Sequence, residues 1–191
     1  GNSLTPIKKQ LSKDNFLFGC LYSHPSSVDV VDLYGKQLDP PHLLEWNFFN
    51  SCHLSQSLFD FDGILCPNVP YKVAKDENKY IDYIKNVEPY YHRLPTQRPC
   101  KGIVTARLEK YRDITEEWLD RYKVKYKVLK MFPTERQVER DANHAVEAAN
   151  FKAEMFKRLD ASFFVESEKL EAQLIRAQVE RLVICPDEVT L

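Results

Sequence analysis

The chain has 191 residues, 43% hydrophobic and 29% charged, which is enough for one domain with a sizeable core. Its formal net charge of -1 gives no overall electrostatic reason to expect nucleic-acid binding, and no apolar run is long enough to span a bilayer. The five cysteines have no C-x-x-C spacing, which argues against a disulfide framework or a zinc site. Free thiols suit a reducing compartment, so we expect a cytoplasmic protein without a membrane partner.

The first 55 residues have the pattern of a small strand-rich extension. Stretches 14–25 and 28–35 look like short strands broken by Pro and Ser. Three large apolar residues, Trp46, Phe48 and Phe49, follow and need something to pack on. We expect residues 1–55 to cover one face of a main domain at 56–191. The alternatives are a remnant of another domain and a partner surface, through which the chain would form a homodimer.

From residue 56 onwards, strand patterns alternate with helix patterns. The predicted strands cover 57–62, 102–106, 123–132, 162–166 and 181–186, and the predicted helices cover 78–87, 108–122, 134–159 and 167–178. The third helix is expected in one or two pieces with Thr134 as its N-cap, and the lysine-rich third strand is expected at a sheet edge. This alternation predicts an α/β fold, a parallel sheet with helices on both faces.

Chemically reactive side chains stand at the ends of three predicted strands. Asp60 and Asp62 end the first, Thr105 the second and Glu166 the fourth. The active crevice of such sheets lies beyond the carboxyl ends of the strands, so these residues should converge there. Paired carboxylates repel each other, and such pairs often bind a cation or carry out chemistry. The alternative is that Asp62 and Gly63 simply form a turn.

Four segments resemble the motifs of a known superfamily. "LFDFDGIL", "IVTAR", "NFKAEMFKRL" and "FFVES" are similar to motifs I to IV of the haloacid dehalogenase-like (HAD) hydrolases, in the family's order. The resemblance implies a Rossmann-like HAD fold with strand order 5-4-1-2-3. It also implies a Mg²⁺-dependent phosphatase that acts on a small phosphorylated metabolite.

The resemblance assigns a role to each candidate catalytic residue. Asp60 would be the nucleophile that becomes an aspartyl-phosphate, and Asp62 the general acid, with Gly63 permitting the turn. Thr105 would bond a phosphoryl oxygen; otherwise it is a strand former or the N-cap of the next helix. Lys152 would neutralise the phosphate, although Lys157 competes for that role and most lysines on a charged helix are solvated.

The resemblance also implies a metal site. Mg²⁺ would be held by the Asp60 side chain, the backbone carbonyl of Asp62 and Glu166, whose other interpretation is an acid at a helix N-terminus. Many family members carry two adjacent acids in motif IV. Here Ser167 follows Glu166, and further acids come only at Glu168 and Glu171. This departure favours a rival function, a catalytically weak HAD-like accessory or binding domain.

The segment between motifs I and II is short, which predicts a minimal cap with one helix. His92 in this segment could be a general base but is more typical of a surface residue. Arg107 and Arg112 could clamp an anionic substrate or lie on a solvated helix face. A phosphatase of nucleic-acid ends is a further rival, disfavoured by the charge balance.

A narrower resemblance covers the N-terminal part. "LLEWNFFN" leading into "LFDFDGILC" is similar to the junction of proteins that join a phosphoribosyltransferase-like domain to a HAD-like domain. The paired acids and Thr/Gly-rich loop that bind phosphoribosyl diphosphate are absent from this sequence. We therefore expect no transferase activity, and a fragment or shortened relative of such fusions is an open interpretation.

Overall fold

The computed structural model of the chain describes residues 4–11, 16–38, 48–49 and 51–186. The chain divides into two compact units, Gly1–His42 and Leu43–Leu191. The division into an extension at 1–55 and a main domain at 56–191 stays a prediction. Trp46, predicted to join the apolar cluster, lies outside the described residues.

The first unit contains a small parallel sheet. Its elements are helix α1 (Leu4–Leu11), strand β1 (Gly19–Ser23), a 3₁₀ helix (Pro25–Val30) and strand β2 (Leu33–Gln37). The two strands pair in parallel, and Lys8 of α1 lies 2.5 Å from Asp32, which also accepts the N–H of Phe18. Strand β1 lies within the predicted stretch 14–25, but β2 overlaps the stretch 28–35 only at residues 33–35, because 28–30 belong to the 3₁₀ helix. Helix α1 is not predicted by the sequence pattern.

The second unit alternates strands with helices. Its strands are β3 (Ser57–Phe59), β4 (Gly102–Leu108), β5 (Leu129–Phe132), β6 (Phe163–Val165) and β7 (Leu182–Ile184). Its helices are α2 (Tyr71–Ala74), α3 (Glu77–Asn86), α4 (Arg112–Arg121), α5 (Gln137–Ala142), α6 (His144–Arg158) and α7 (Lys169–Arg176). Each predicted strand and helix of this unit is present. Most are shorter than predicted, but β4 extends two residues further, to Leu108, and α3 is shifted by one residue at the same length.

All five strands of this sheet are parallel, in the order β5-β4-β3-β6-β7. Numbered within the unit and read from the β7 edge, the order is 5-4-1-2-3, as expected. The unit is thus α/β with a parallel five-stranded sheet flanked by helices, consistent with a Rossmann-like fold. Because β3 is central, the residues that follow it reach the middle of the sheet's carboxyl edge.

The strands are short apolar runs because both sheet faces are covered. Leu58, Phe59, Ile103 and Val104 are completely buried. Phe49 stacks on Phe59 with ring centroids 5.3 Å apart, which places this part of the predicted apolar cluster in the core. Fully burying a side chain of this size contributes about 1.5–3 kcal/mol.

Two predictions about helices have different outcomes. The helical stretch 134–159 is indeed in two pieces, broken at Asn143, which has a non-helical φ of -148°. Thr134 is not the N-cap, because Arg136 precedes α5 and the Thr134 hydroxyl accepts the N–H of Lys110 instead.

The lysine-rich strand lies at the sheet edge as predicted, but its continuous pairing with β4 covers only Leu129 to Phe132, and Tyr126 forms an isolated bridge with Cys100. The preceding chain turns at Lys123, where φ is 56°. Among the described residues, no helix is both long and apolar enough to cross a bilayer.

Candidate active site

Asp60 is the first residue beyond the central strand β3. Its backbone N–H continues the sheet by donating to the Val165 carbonyl at 2.9 Å. One carboxyl oxygen, Oδ1, accepts the N–H of Phe61 at 2.7 Å, and the other, Oδ2, accepts Lys152 Nζ at 2.9 Å. Only 6% of Asp60 is exposed, so this carboxyl sits in a largely water-free position.

The chain turns sharply after Asp62, and Gly63 makes the turn possible. Gly63 has a φ of 79°, and its N–H donates to the Cys66 carbonyl at 2.7 Å. A Cβ at this position would lie 2.2 Å from Ser167 Oγ, so any side chain would collide with the second residue after β6. Ser167 Oγ in turn donates to the Asp62 carbonyl at 3.0 Å. The turn thus brings motif I directly against motif IV.

Lys152 of α6 is surrounded by three carboxylates. Its Nζ donates to Asp60 Oδ2 at 2.9 Å, Glu166 Oε2 at 2.6 Å and Glu171 Oε2 at 2.7 Å. Each of these four residues is at most 6% exposed. Lys157, the competing lysine, is exposed on the same helix, so the structure places Lys152 at the site.

Burial and mutual charge shift the pKa values within this Lys152 cluster. Burial, reinforced by the neighbouring glutamates, raises the pKa of Asp60 well above its usual range despite the opposing Lys152 charge. Burial alone would lower the pKa of Lys152, but the three surrounding acids hold it well above the ordinary value. Burial opposes ionisation of Glu171 too, yet Lys152 and His144 keep its pKa below the usual value. Lys152 therefore stays charged beside the candidate nucleophile.

Asp62 occupies a different environment and is bound by Arg107. Arg107 Nε donates to Asp62 Oδ2 at 2.8 Å, and its Nη2 donates to Oδ1 at 2.7 Å, a bidentate ion pair. Arg107 is 2% exposed, whereas 20% of the Asp62 side chain is exposed. Burial would lower the pKa of Arg107, but Asp62 more than offsets this and raises it. Its buried Nη1 has no hydrogen-bond partner among the described residues.

The guanidinium of Arg107 stacks on an aromatic pair. Its Cζ lies 3.8 Å from the ring centroid of Phe61, the residue between the two aspartates. Phe61 in turn packs on Trp118 with centroids 4.9 Å apart, and Trp118 Nε1 donates to the Val87 carbonyl at 2.8 Å. Cation–π contacts of this kind, when desolvated, contribute about 2 kcal/mol. The stack therefore fixes Arg107 in one position.

Thr105 lies in β4 at the start of an irregularity. It pairs with Met131, but the register shifts before the next pair, Leu108 with Phe132. The strand therefore does not end at Thr105, as the sequence suggested, and Thr105 does not cap the following helix. Its buried hydroxyl accepts the N–H of Arg107 at 3.2 Å. The irregularity breaks the ladder at the point where motif II faces the site.

A cavity of about 770 Å³ opens beside these residues. Asp60, Asp62, Thr105 and Lys152 all line it, and Glu166 lies behind Lys152 outside the lining. Residues of the short segment between β3 and β4 form part of the wall, and their role as a minimal cap stays a prediction. Other lining residues include Tyr80, Tyr111, Lys110, Arg140, His144 and Glu171.

Comparison with known proteins adds no family to this picture. A scan against models of protein families and a search of curated proteins find no match to the chain. Membership of the HAD-like superfamily therefore stays a prediction. The assignment of a function depends on the geometry of the chain's own residues.

The predicted Mg²⁺ ligands are oxygen atoms, the type that this ion prefers. Each already accepts a hydrogen bond: Asp60 and Glu166 from Lys152, and the Asp62 carbonyl from Ser167. In the described part of the chain, no group of three or more His, Cys, Asp or Glu residues is placed to hold a metal ion. A carboxylate or carbonyl oxygen that accepts one hydrogen bond still has a second lone pair, which could bind Mg²⁺. The ligand types therefore suit this ion, and the metal site stays a prediction.

Sequence reasoning named Glu171 as one of two further acids but gave it no role. It lies five residues after Glu166, in the first turn of α7, and its Oε2 accepts a hydrogen bond from Lys152. The sequence left open whether Arg107 clamps an anionic substrate or lies on a solvated helix face. In the structure it is buried and bonds the Asp62 carboxylate. Arg112 bonds Glu109 and Glu116 instead, and His92 is exposed and does not line the cavity.

Proposed function

We propose that this chain is a phosphoric monoester hydrolase that forms an aspartyl-phosphate on Asp60. The observation that supports this function best is the convergence of Asp60, Asp62, Thr105 and Lys152 on one cavity at the carboxyl edge of a parallel sheet. A cavity of about 770 Å³ suits a small phosphorylated metabolite.

In the first half of the reaction, an Asp60 carboxylate oxygen attacks phosphorus and the bond to the ester oxygen breaks. Asp62 gives a proton to the leaving oxygen, so an alcohol departs. In the second half, water attacks phosphorus, Asp62 takes a proton from that water, and the bond between phosphorus and Asp60 breaks. The products are the alcohol and inorganic phosphate, and Asp60 is regenerated.

The remaining residues hold charge and position. Lys152 keeps a positive charge beside the nucleophile, and the Thr105 hydroxyl would bond a phosphoryl oxygen. Mg²⁺, held by Asp60, the Asp62 carbonyl and Glu166, would supply further positive charge for the phosphoryl oxygens.

The test is a screen of phosphorylated metabolites and p-nitrophenyl phosphate in millimolar Mg²⁺, with wild-type protein and Asp60→Asn. Because the amide of Asn cannot form the acyl phosphate, turnover should fall by orders of magnitude in the variant. Asp120→Asn, an exposed change of the same kind on α4, is the control and should keep full turnover. Near-wild-type turnover by Asp60→Asn would exclude the covalent mechanism.

A second function, a HAD-like binding domain with little or no turnover, is favoured by one observation. Lys152 and Arg107 already bond both side-chain oxygens of Asp62 and one each of Asp60 and Glu166. A site whose carboxylates are paired internally can hold an anion without attacking it. Isothermal titration with inorganic phosphate separates the two functions: binding without Asp60-dependent hydrolysis of any ester supports the binding domain.

A further inference from the structure

We propose that Arg107 is a positioning residue that fixes Asp62 so that one oxygen, Oδ2, carries out the proton transfers of the reaction. This inference rests on the proposed function and deepens it. It concerns which atom moves the proton and which side chain holds that atom in place.

The hydrogen bonds of the two Asp62 oxygens are unequal. Oδ1 accepts two hydrogen bonds, one from Arg107 Nη2 at 2.7 Å and one from Cys66 Sγ at 3.5 Å. Oδ2 accepts only Arg107 Nε, at 2.8 Å, among the described residues. A carboxylate oxygen can accept two hydrogen bonds, so Oδ1 is saturated while Oδ2 keeps one free position. Asp62 lines the cavity, which makes Oδ2 the atom available to a leaving group.

Arg107 is itself held on several sides, as a positioning group must be. Its guanidinium stacks 3.8 Å from the Phe61 ring centroid, and its backbone N–H donates to Thr105 Oγ1. The planar, bidentate contact fixes both the position and the rotation of the Asp62 carboxyl. A lysine would contact the same carboxylate as a point charge and leave its rotation free.

Asp62 loses one proton in the first half of the reaction and regains one in the second. Before the ester reacts, the free position on Asp62 Oδ2 takes up a proton from solvent. When the bond between phosphorus and the ester oxygen breaks, this proton goes to that oxygen and the alcohol leaves. In the second half Oδ2 receives a proton from the attacking water. Arg107 gains and loses no proton in either half.

The requirement for this proton depends on the leaving group, and this dependence supplies the test. An alkoxide leaves poorly without a proton, whereas p-nitrophenolate leaves readily without one. Because the second half of the reaction is common to both esters, the test compares kcat/KM, which covers only the steps through departure of the leaving group. Arg107→Lys should lower kcat/KM for an alkyl ester such as glycerol phosphate by about 10²-fold, within the range of general acid catalysis. With p-nitrophenyl phosphate the loss of kcat/KM should be no more than about threefold.

Arg112→Lys is the matched control. Arg112 also pairs with carboxylates, Glu109 and Glu116, but it does not line the cavity. Both esters should be hydrolysed at the wild-type rate by this variant. Asp62→Asn should show the same selective loss for the alkyl ester as Arg107→Lys.

The outcomes separate this inference from the proposed function. Equal losses of kcat/KM for the two esters in Arg107→Lys, or a higher kcat/KM for the alkyl ester, would overturn the positioning role while leaving the phosphatase intact. Wild-type protein without Asp60-dependent turnover of either ester would overturn both.

If Arg107→Lys does not fold, Cys66→Ala takes its place. Removing Sγ frees a position on Oδ1 and relaxes the choice of oxygen, so kcat/KM should fall for the alkyl ester and stay constant for the aryl ester. An unchanged kcat/KM for the alkyl ester in this variant would contradict the assignment to Oδ2.

Discussion

Two carboxylates only two residues apart lie in opposite electrostatic environments. Asp60 belongs to the Lys152 cluster, where one buried cation faces three buried acids. Asp62 belongs to a balanced pair with one arginine, and its side chain keeps access to the cavity. The cluster has an excess of acid that burial penalises, while the pair is neutral and open on one side. One turn at Gly63 therefore creates two carboxylates suited to different steps.

The largest expected effect on stability comes from removing the charge of Lys152, the cation at the centre of the Lys152 cluster. Lys152→Met leaves three buried carboxylates without a counter-charge, so the free energy of unfolding should fall by about 3–5 kcal/mol. Urea unfolding followed by circular dichroism measures the change. Lys157→Met, an exposed substitution on the same helix, should stay within about 0.5 kcal/mol of wild type. A loss for Lys152→Met no greater than that of the control would show that the cluster does not need its lysine.

Removing the acid of the balanced pair should have a smaller effect. Asp62→Asn leaves the buried Arg107 with one carbonyl acceptor in place of two charged oxygens. We expect a loss of about 1.5–3 kcal/mol, the range of hydrogen bonds to charged groups. Thermal and urea unfolding of this variant beside Asp120→Asn would measure it. A variant as stable as wild type would mean that Arg107 finds other acceptors.

The smallest effect concerns pH. Burial raises the pKa of Asp60 above the unfolded value of about 3.9, so the native state holds this proton more tightly. The resulting stabilisation is complete below the unfolded pKa and is lost as pH rises through the higher native-state pKa. The stability of wild type relative to Asp60→Asn should therefore fall above about pH 4, by at most about 1.4 kcal/mol per pH unit.

Urea unfolding of both proteins at pH 5, 6 and 7 in the presence of a chelator gives this slope. Asp120→Asn, which changes an exposed carboxylate, is again the control. A difference between wild type and Asp60→Asn that stays constant or grows with pH would contradict a raised pKa for Asp60.

The framework of the second unit could be read from the sequence because apolar periodicity reports burial directly. Strands that are buried on both faces stand out as short apolar runs between helical patterns. Strand β3, with the buried residues Leu58 and Phe59, is an example. The parallel arrangement follows from the alternation of strands with helices. Helix α1 was missed although Leu4, Ile7 and Leu11 recur at helical spacing, because its eight residues are fewer than the window over which such a period is read.

The partners of each charged residue could not be read in the same way. Arg107 looks from its position like one more arginine before a helix, and only the folded sheet places it against Asp62, 45 residues earlier. Glu171 similarly depends on the path from α6 to α7, which periodicity does not encode. The sequence placed the end of β4 near Thr105, whereas the strand continues to Leu108 past an irregularity. This irregularity arises in the pairing with β5, a long-range feature that the local sequence does not encode.

The stack of Arg107 on Phe61 and of Phe61 on Trp118 gives the site an intrinsic optical reporter. The sequence contains two tryptophans, so Trp46→Phe leaves Trp118 as the sole indole emitter. A guanidinium 3.8 Å from the intervening ring lies close enough that its displacement alters the electric field at the indole. The emission wavelength of that variant, followed in a stopped-flow instrument as phosphate is added, would time any movement of Arg107 without a label.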